Sequence, residues 1–188
     1  ILGSKDDQAA SMIYQRLIQM KLARGGTEQD VAPYRFALGR LLQRTKDSAG
    51  AREQLTKSIA SDFNIGASHF FLGLADLEEG KRDEARGHFL EVIGSDAVGL
   101  RAAAHVYLGK LAQSEKDSDG SVQAFAAARS LARARLGEAG VGAASQELSN
   151  QVIASTGKQL KGLDHDDLAL NVGFSAGKYR YFSPRISQ

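Results

Sequence analysis

The chain has 188 residues, of which 43% are apolar and 24% charged, a composition typical of a folded globular protein and not of a disordered one. It contains no cysteine, which excludes disulfides, thiolate metal sites and cysteine nucleophiles, and its formal net charge of +2 is too small to indicate nucleic-acid binding. No apolar run approaches the roughly 18 residues that a membrane-spanning helix needs.

The first 160 residues are predicted to form helices, because apolar side chains recur at helical spacing and short turns separate the segments. A first helix over 8–23 is predicted to end at Gly25-Gly26, and Thr27 with Asp30 forms an approximate capping box for the next helix. Three helix pairs follow, joined by turns so short that the partners must pack antiparallel. The pairs are 30–45 with 48–60, 66–79 with 82–93, and 99–114 with 119–133, and a last helix covers about 144–160.

One short phrase occurs three times in these helices, as RFALG at 35–39, HFFLG at 69–73 and HVYLG at 105–109. Counted from the glycine of each phrase, a small residue lies twelve positions on, a large apolar residue sixteen on, and a third residue nineteen on. The glycine is predicted to let two helices approach closely, and the large residue to fill the gap between repeats. After Gly39, Gly73 and Gly109, these residues are Ala51, Ala85 and Ser121, then Leu55, Phe89 and Phe125, then Ser58, Val92 and Ala128.

This pattern resembles the tetratricopeptide repeat (TPR), which has Leu-Gly in its first helix, Ala, Phe and Ala in its second, and a period of about 34 residues. The resemblance implies an all-α, TPR-like solenoid of antiparallel helix pairs over 1–163. Repeats are expected at about 32–63, 66–97 and 102–133, with 8–23 as part of a degenerate fourth and 144–160 as a capping helix. The chain departs from the family in lacking the terminal proline of each repeat, and in having histidine or arginine where tryptophan is usual.

In that family the first helices of the repeats line a concave groove that binds partners. The resemblance therefore implies a groove for a protein or peptide, with an apolar centre and flanking cations. The expected groove residues are Phe36, Arg40, Gln43 and Arg44, then Phe70, Leu74, Leu77 and Glu78, and finally Val106, Lys110 and Gln113. The alternative is that the apolar ones are covered by the terminal helix or a neighbouring repeat. The residue types with which cytosolic co-chaperones of the family grip a C-terminal carboxylate are missing, so binding of chaperone tails is not expected.

Beyond the helices, the period of the apolar residues changes to strict alternation. Between 168 and 176 they alternate with small or polar residues, and an aromatic segment follows at 178–182. Alternation of this kind predicts a strand, so 164–188 is expected to be a connector plus a short β segment. Two interpretations stay open, the first strand of a membrane β-barrel with its apolar side toward lipid, or a soluble terminal hairpin.

Repeats, a short connector and such a strand, in this order, resemble bacterial outer-membrane proteins that have a periplasmic repeat domain before a β-barrel. Within that group the chain looks most like the surface lipoprotein assembly modifiers, and the residues behind this likeness are 34–42 and 168–174. The resemblance implies a periplasmic domain at the outer membrane that binds client proteins for export to the cell surface. Two alternatives stay open: the TPR domain of an exopolysaccharide-export porin, and a soluble, cytoplasmic scaffold in a multiprotein complex.

No group of residues predicts catalysis, a cofactor or a metal site. The stretch GFSAG at 173–177 matches the G-x-S-x-G motif of hydrolases, but the acid and the histidine that must follow its serine are missing. His69 and His105 occupy the same position of the repeated phrase, which indicates a packing role. His88 and His165 have no second ligand at metal-site spacing in the sequence. The chain is therefore expected not to be an enzyme.

Overall fold

The computed structural model describes residues 5–138 and 142–157, and this part of the chain consists of eight α-helices without a strand. The chain divides into two compact units, Ile1–Glu91 and Val92–Gln188, and the division falls within the fifth helix. The predicted helices are confirmed, with ends that differ by a few residues. The helices are α1 (Lys5–Ala23), α2 (Glu28–Arg44), α3 (Ser48–Ala60), α4 (Ile65–Glu78), α5 (Arg82–Gly94), α6 (Val98–Ser114), α7 (Ser118–Leu136) and α8 (Ala143–Gly157).

The turns between the helices of each pair share one backbone geometry. In all three, the second residue after the first helix has positive φ: 65° at Lys46, 77° at Gly80 and 63° at Lys116. Asp47 and Asp117 follow the two lysines, and each accepts a hydrogen bond of 2.9 Å from the backbone N–H three residues on. This bond satisfies a free donor at the start of the second helix. The chain therefore reverses direction and starts the next helix within a few residues.

The capping box predicted before the second helix is present. The Thr27 hydroxyl accepts a hydrogen bond from the Asp30 backbone N–H, and an Asp30 carboxylate oxygen accepts one of 2.8 Å from the Thr27 backbone N–H. The bond from the Thr27 backbone N–H, and then the bond that the Thr27 hydroxyl donates to the same carboxylate oxygen, lower the pKa of Asp30. Aspartate thus replaces the usual Glu or Gln without loss of either bond.

Three glycines lie where paired helices come closest, as the repeated phrase predicts. A methyl group built on any of them would lie under 3.0 Å from a side chain of the following helix, closer than such carbons are found in proteins. The partner side chains are 0–2% exposed and have little room to move. The close approach therefore depends on glycine. The contacts are Gly39 to Leu55 at 2.7 Å, Gly73 to Phe89 at 2.8 Å and Gly109 to Phe125 at 2.8 Å.

In the first unit, α1 packs against α2, and α2, α3 and α4 share a core. Ile18 of α1 meets Val31 and Leu38 of α2 in one cluster. The opposite side of α1 is open, with Met12 70% and Ile13 59% exposed. The second cluster contains Phe36, Ala51, Leu55 and Leu72.

In the second unit, α6, α7 and α8 pack against one another around an alanine-rich core. Small side chains let the helices lie close together, while Phe125 and Val152 supply the larger apolar contacts. The core residues are Ala102, Val106, Phe125, Ala126, Ala128, Ala132 and Val152.

The expected β segment within 164–188 lies outside the described residues, as do the last residues of the helix predicted over 144–160. Within the part of the chain that the structure describes, no helix has both the length and the apolar character needed to cross a membrane.

Candidate functional site: the exposed side of α2 and α4

Helices α2 and α4 meet side by side through three of the residues predicted to line a groove. On α2, Phe36, Arg40 and Gln43 are spaced so that they share one helical face. The Phe36 ring lies 6.1 Å from the Phe71 ring of α4 in an edge-to-face contact, and Gln43 Nε2 donates a bond of 3.3 Å to Glu78 Oε1. Later residues of α2 thus meet later residues of α4. The two helices therefore run parallel.

Arg40 is an exposed cation on this side of α2. Its guanidinium carbon lies 5.6 Å from the centre of the Phe36 ring and 5.1 Å from that of Phe71, which is cation–π distance. The residue is exposed, and among the described residues it forms no hydrogen bond or ion pair. Its guanidinium therefore lies beside two rings, and its N–H donors are available to an anionic group.

Fewer apolar side chains are accessible in the predicted groove than the sequence indicates. Phe36 and Phe70 are 9% and 8% exposed, and Phe70 packs edge-to-face on Phe89 at 5.9 Å, so both rings belong mainly to the core. Leu74 and Leu77 are half-buried. We call the set Arg40, Gln43, Leu74, Leu77 and Glu78 the α2–α4 face.

Three of the polar groove residues on α2 and α4 already have partners on neighbouring helices. Arg44 is paired with Asp7 of α1, although two thirds of its side chain (66%) is exposed. Gln43 and Glu78 bond to each other across α2 and α4. Arg44 thus links α2 to α1 through an ion pair, and Arg40 is the better candidate for binding an anionic group of a partner.

The remaining predicted groove residues belong to α6 in the second unit. Val106 is buried in the core of that unit, with 7% exposure. Lys110 and Gln113 are exposed, and Lys110 Nζ lies 5.1 Å from the centre of the Tyr107 ring. A cation stacked on an aromatic ring therefore occurs on α6 as well as on α2.

A polar cluster that the sequence did not predict joins α3, α4 and α5. Asp76 of α4 is fully buried and its Oδ1 accepts a bond of 2.5 Å from Arg52 of α3. On the other side of Asp76, His88 Nε2 of α5 lies 3.4 Å from Oδ2. His88 Nδ1 is in turn 2.9 Å from Nδ1 of His69 on α4. Four side chains from three helices thus form one chain of polar contacts.

The repeat register contains the signal for this cluster. His69 opens its phrase, and its partner His88 lies nineteen residues later. In the first repeat, Arg35 opens the phrase and donates a bond of 3.1 Å to Gln54, also nineteen residues later. The third repeat has His105 and Ala124 at these positions. In the first two repeats, the first position of the phrase therefore faces the residue nineteen positions on, and the second repeat has a histidine at both positions.

The other motifs considered for chemistry give no site in the described part of the chain. Among residues 5–138 and 142–157, no three His, Cys, Asp or Glu side chains are arranged to hold a metal ion. The GFSAG stretch at 173–177 and His165 lie outside the described residues. Comparison of the chain with known protein families, curated proteins and solved structures finds no match.

Proposed function

We propose that the chain is a non-catalytic binding domain of TPR-like repeats, and that its α2–α4 face binds a segment of a partner protein. The observation that carries the proposal is Arg40, an exposed guanidinium stacked on two rings and without an ionic partner among the described residues, close to the half-buried side chains of the same face. The partner segment would place an acidic side chain on Arg40 and apolar side chains on Leu74 and Leu77.

The chemistry of this face fits such a segment. An Arg–carboxylate bond is charge-assisted, and the rings beneath the guanidinium hold it in one orientation before binding, so less freedom is lost on binding. Leu74 lies between Phe71 and Glu78 at helical spacing, and it therefore shares the side of α4 that meets α2. Its half-buried side chain can lose further contact with water when a partner docks, which favours association. Apolar anchors beside a polar rim are common in protein interfaces.

The repeated packing contacts support the solenoid part of the proposal. The three glycine contacts join equivalent positions, and the three turns share one αL residue at the same offset. In a solenoid, similar helix pairs with short linkers stack in one direction. The first helices of the pairs then form a continuous surface. In the first unit, the parallel contact of α2 and α4 is what such stacking requires.

Binding can be tested with peptides selected from a random display library against the whole chain. We expect Leu74→Asp and Arg40→Ala each to weaken binding of the selected peptides by tenfold or more, because a hot-spot residue contributes about 2 kcal/mol. The loss at Arg40 should be largest for peptides with Asp or Glu, and affinity should fall with added salt. Fluorescence anisotropy measures the affinities, and circular dichroism measures helical content.

Matched variants away from the face provide the controls. Arg82→Ala removes an exposed arginine from α5, and Ile65→Asp puts a charge at a 40% exposed apolar position of α4 itself. Both should bind the peptides like the unchanged chain. If Leu74→Asp unfolds the chain, Leu74 belongs to the core and the binding face is wrong. If Arg40→Ala and Arg82→Ala bind equally well, Arg40 has no role in recognition.

The wider role implied by the sequence resemblance is a separate proposal. In this proposal, the domain binds client proteins in the periplasm before their export to the cell surface. This proposal depends on sequence alone, in part on 168–174, which lie outside the described residues. Intact mass and fractionation of the native protein test it: a mass far above 20.1 kDa in the outer-membrane fraction is expected. A chain of this mass in a soluble extract would contradict it.

A further inference from the structure

The contact between His69 and His88 joins two imidazole nitrogens end to end. Their Nδ1 atoms are 2.9 Å apart, the ring centres 5.1 Å, and the rings are tilted by 41°. Ring nitrogens this close must share a hydrogen, because two lone pairs or two N–H groups would repel each other. His69 lies one helical turn before Gly73, and His88 directly precedes Phe89, so the pair lies beside the close Gly73–Phe89 contact.

Asp76 lies behind His88, on the Nε2 side of its ring. Its Oδ2 is 3.4 Å from His88 Nε2, and Oδ1 is held by Arg52. A carboxylate at this position favours the tautomer with hydrogen on Nε2, which leaves the His88 Nδ1 lone pair facing His69. Histidines that bind metals have this arrangement, with a carboxylate on the nitrogen opposite the metal. Oδ2 is buried and has no hydrogen-bond partner among the described residues, so a shorter contact to His88 would satisfy it.

The charged groups around the His69–His88 pair also favour a bound cation. Burial lowers the pKa of both histidines, for His88 in spite of the opposing effect of Asp76. The neutral ring is the form that coordinates metals. Glu91, one turn after His88 on α5, adds negative charge that acts on both rings, while Arg52 opposes it at His88. His88 keeps 25% of its side chain exposed, which leaves a path for an ion.

We propose that His69 and His88 bind a divalent transition metal through their two Nδ1 atoms, with copper(II) preferred. At a metal–nitrogen distance of about 2.0–2.1 Å, a separation of 2.9 Å corresponds to an angle of about 90° at the metal. Square-planar copper(II) and nickel(II) have that angle, whereas tetrahedral zinc would need the nitrogens about 3.3 Å apart. Copper(II) also binds nitrogen ligands most tightly in the divalent series.

Metal binding requires a small rearrangement in which one hydrogen changes position and none is lost. Without metal, His69 Nδ1–H donates to His88 Nδ1. With metal, both Nδ1 lone pairs turn toward the ion, and the hydrogen of His69 moves to its Nε2. No third His, Asp or Glu completes the site within the described residues, so water fills the other positions. The bound metal therefore stays open to a further ligand.

The test is a titration of the whole chain with copper(II), nickel(II) and zinc(II), followed by calorimetry and electron paramagnetic resonance. We expect one copper(II) bound by two imidazole nitrogens, seen directly in pulsed spectra of the unchanged chain. His69→Gln and His88→Gln should each weaken copper binding at least about tenfold. His165→Gln, which leaves the pair intact, should bind as before. Circular dichroism verifies that the variants remain folded.

Three results would overturn the proposal. Spectra with one imidazole or none would exclude the pair even if both variants failed to fold. Equal affinity of His69→Gln and the unchanged chain would place copper elsewhere. Zinc bound more tightly than copper would contradict the geometry from which the metal was inferred.

Discussion

At Gly73, the space between α4 and α5 is smaller than a methyl group. A Cβ there would lie 2.8 Å from Cε1 of Phe89, whose ring is fully buried. Gly73→Ala should therefore destabilise the chain by up to about 2 kcal/mol, because overpacking costs about 1–3 kcal/mol and better helix propensity offsets about 1 kcal/mol of it. Gly73→Leu should cost more. Urea unfolding followed by circular dichroism measures the change.

Gly87 of α5 is the matched control for this substitution. It is exposed, and nothing lies within 4 Å of a Cβ built on it. Gly87→Ala should raise stability by up to about 1 kcal/mol, through helix propensity alone. Equal effects of the two alanines would show that the Gly73 site accommodates a methyl group and that the close-packing assignment is wrong.

His105 makes stability depend on pH. It is 5% exposed, and burial lowers its pKa from 6.5 to about 4. Between these values the unfolded chain binds a proton that the folded chain does not, so stability falls as pH decreases, by up to about 1.4 kcal/mol per pH unit. His105→Met removes this proton, and its unfolding free energy should fall less steeply between pH 6.5 and 4.

The difference between the two chains, measured by urea unfolding at several pH values, isolates His105. The pKa values of His69 and His88 are also lowered, so these residues contribute in the same direction in both chains. Parallel curves for His105→Met and the unchanged chain would mean that His105 takes up a proton without unfolding.

Sequence periodicity predicts what the repeats share and misses what one repeat has alone. Gly39, Gly73 and Gly109 stood out because the same spacing occurs three times, and their contacts are confirmed. The His69–His88 pair occurs once, since the positions that face each other hold different residues in each repeat. The sequence alone did not indicate that positions nineteen residues apart face each other, because this pairing follows from how the two helices pack.

At the scale of elements, the turns within the three helix pairs share one backbone conformation although their residues differ. Lys46 and Lys116 occupy the αL position that Gly80 occupies in the second repeat. Left-handed backbone costs a residue with a side chain about 1–2 kcal/mol, whereas glycine adopts it freely. The helix limits were predictable because Asp caps and such turns have sequence signals, and the box of Thr27 and Asp30 is one of them.

This geometry predicts that Lys116→Gly stabilises the chain. Relief of left-handed strain should exceed the entropy that glycine adds to the unfolded state, about 0.4–1 kcal/mol, and leave a net gain of about 0.5–1 kcal/mol. The reverse change, Gly80→Lys, should destabilise by a similar amount. Thermal melting of both variants tests this. A loss of stability in Lys116→Gly would mean that the lysine side chain makes a contact worth more than the strain.

At the scale of the whole molecule, packing is local along the chain. The helices that touch in each unit are neighbours or next neighbours in sequence, such as α2 with α3 and α4, or α6 with α7 and α8. This is why the helical fold was predictable from short-range patterns. Burial of the groove residues was harder to predict, since Phe36 and Phe70 are covered by rings from other parts of the chain. Phe36 contacts Phe71 of α4 and Phe63 of the loop before it, and Phe70 contacts Phe89 of α5.

Local packing predicts that damage to one helix pair stays mostly within its unit. Gly39→Ala and Gly109→Ala place the same methyl group at equivalent contacts, one in each unit. Because each unit has its own core, Gly39→Ala should lower the protection of backbone amides against hydrogen exchange in α2 and α3, and leave that of α6 and α7 nearly unchanged. Gly109→Ala should do the reverse. Exchange followed by mass spectrometry resolves these peptides, with the unchanged chain as reference. Uniform loss of protection along the whole chain in both variants would show that the two units unfold as one.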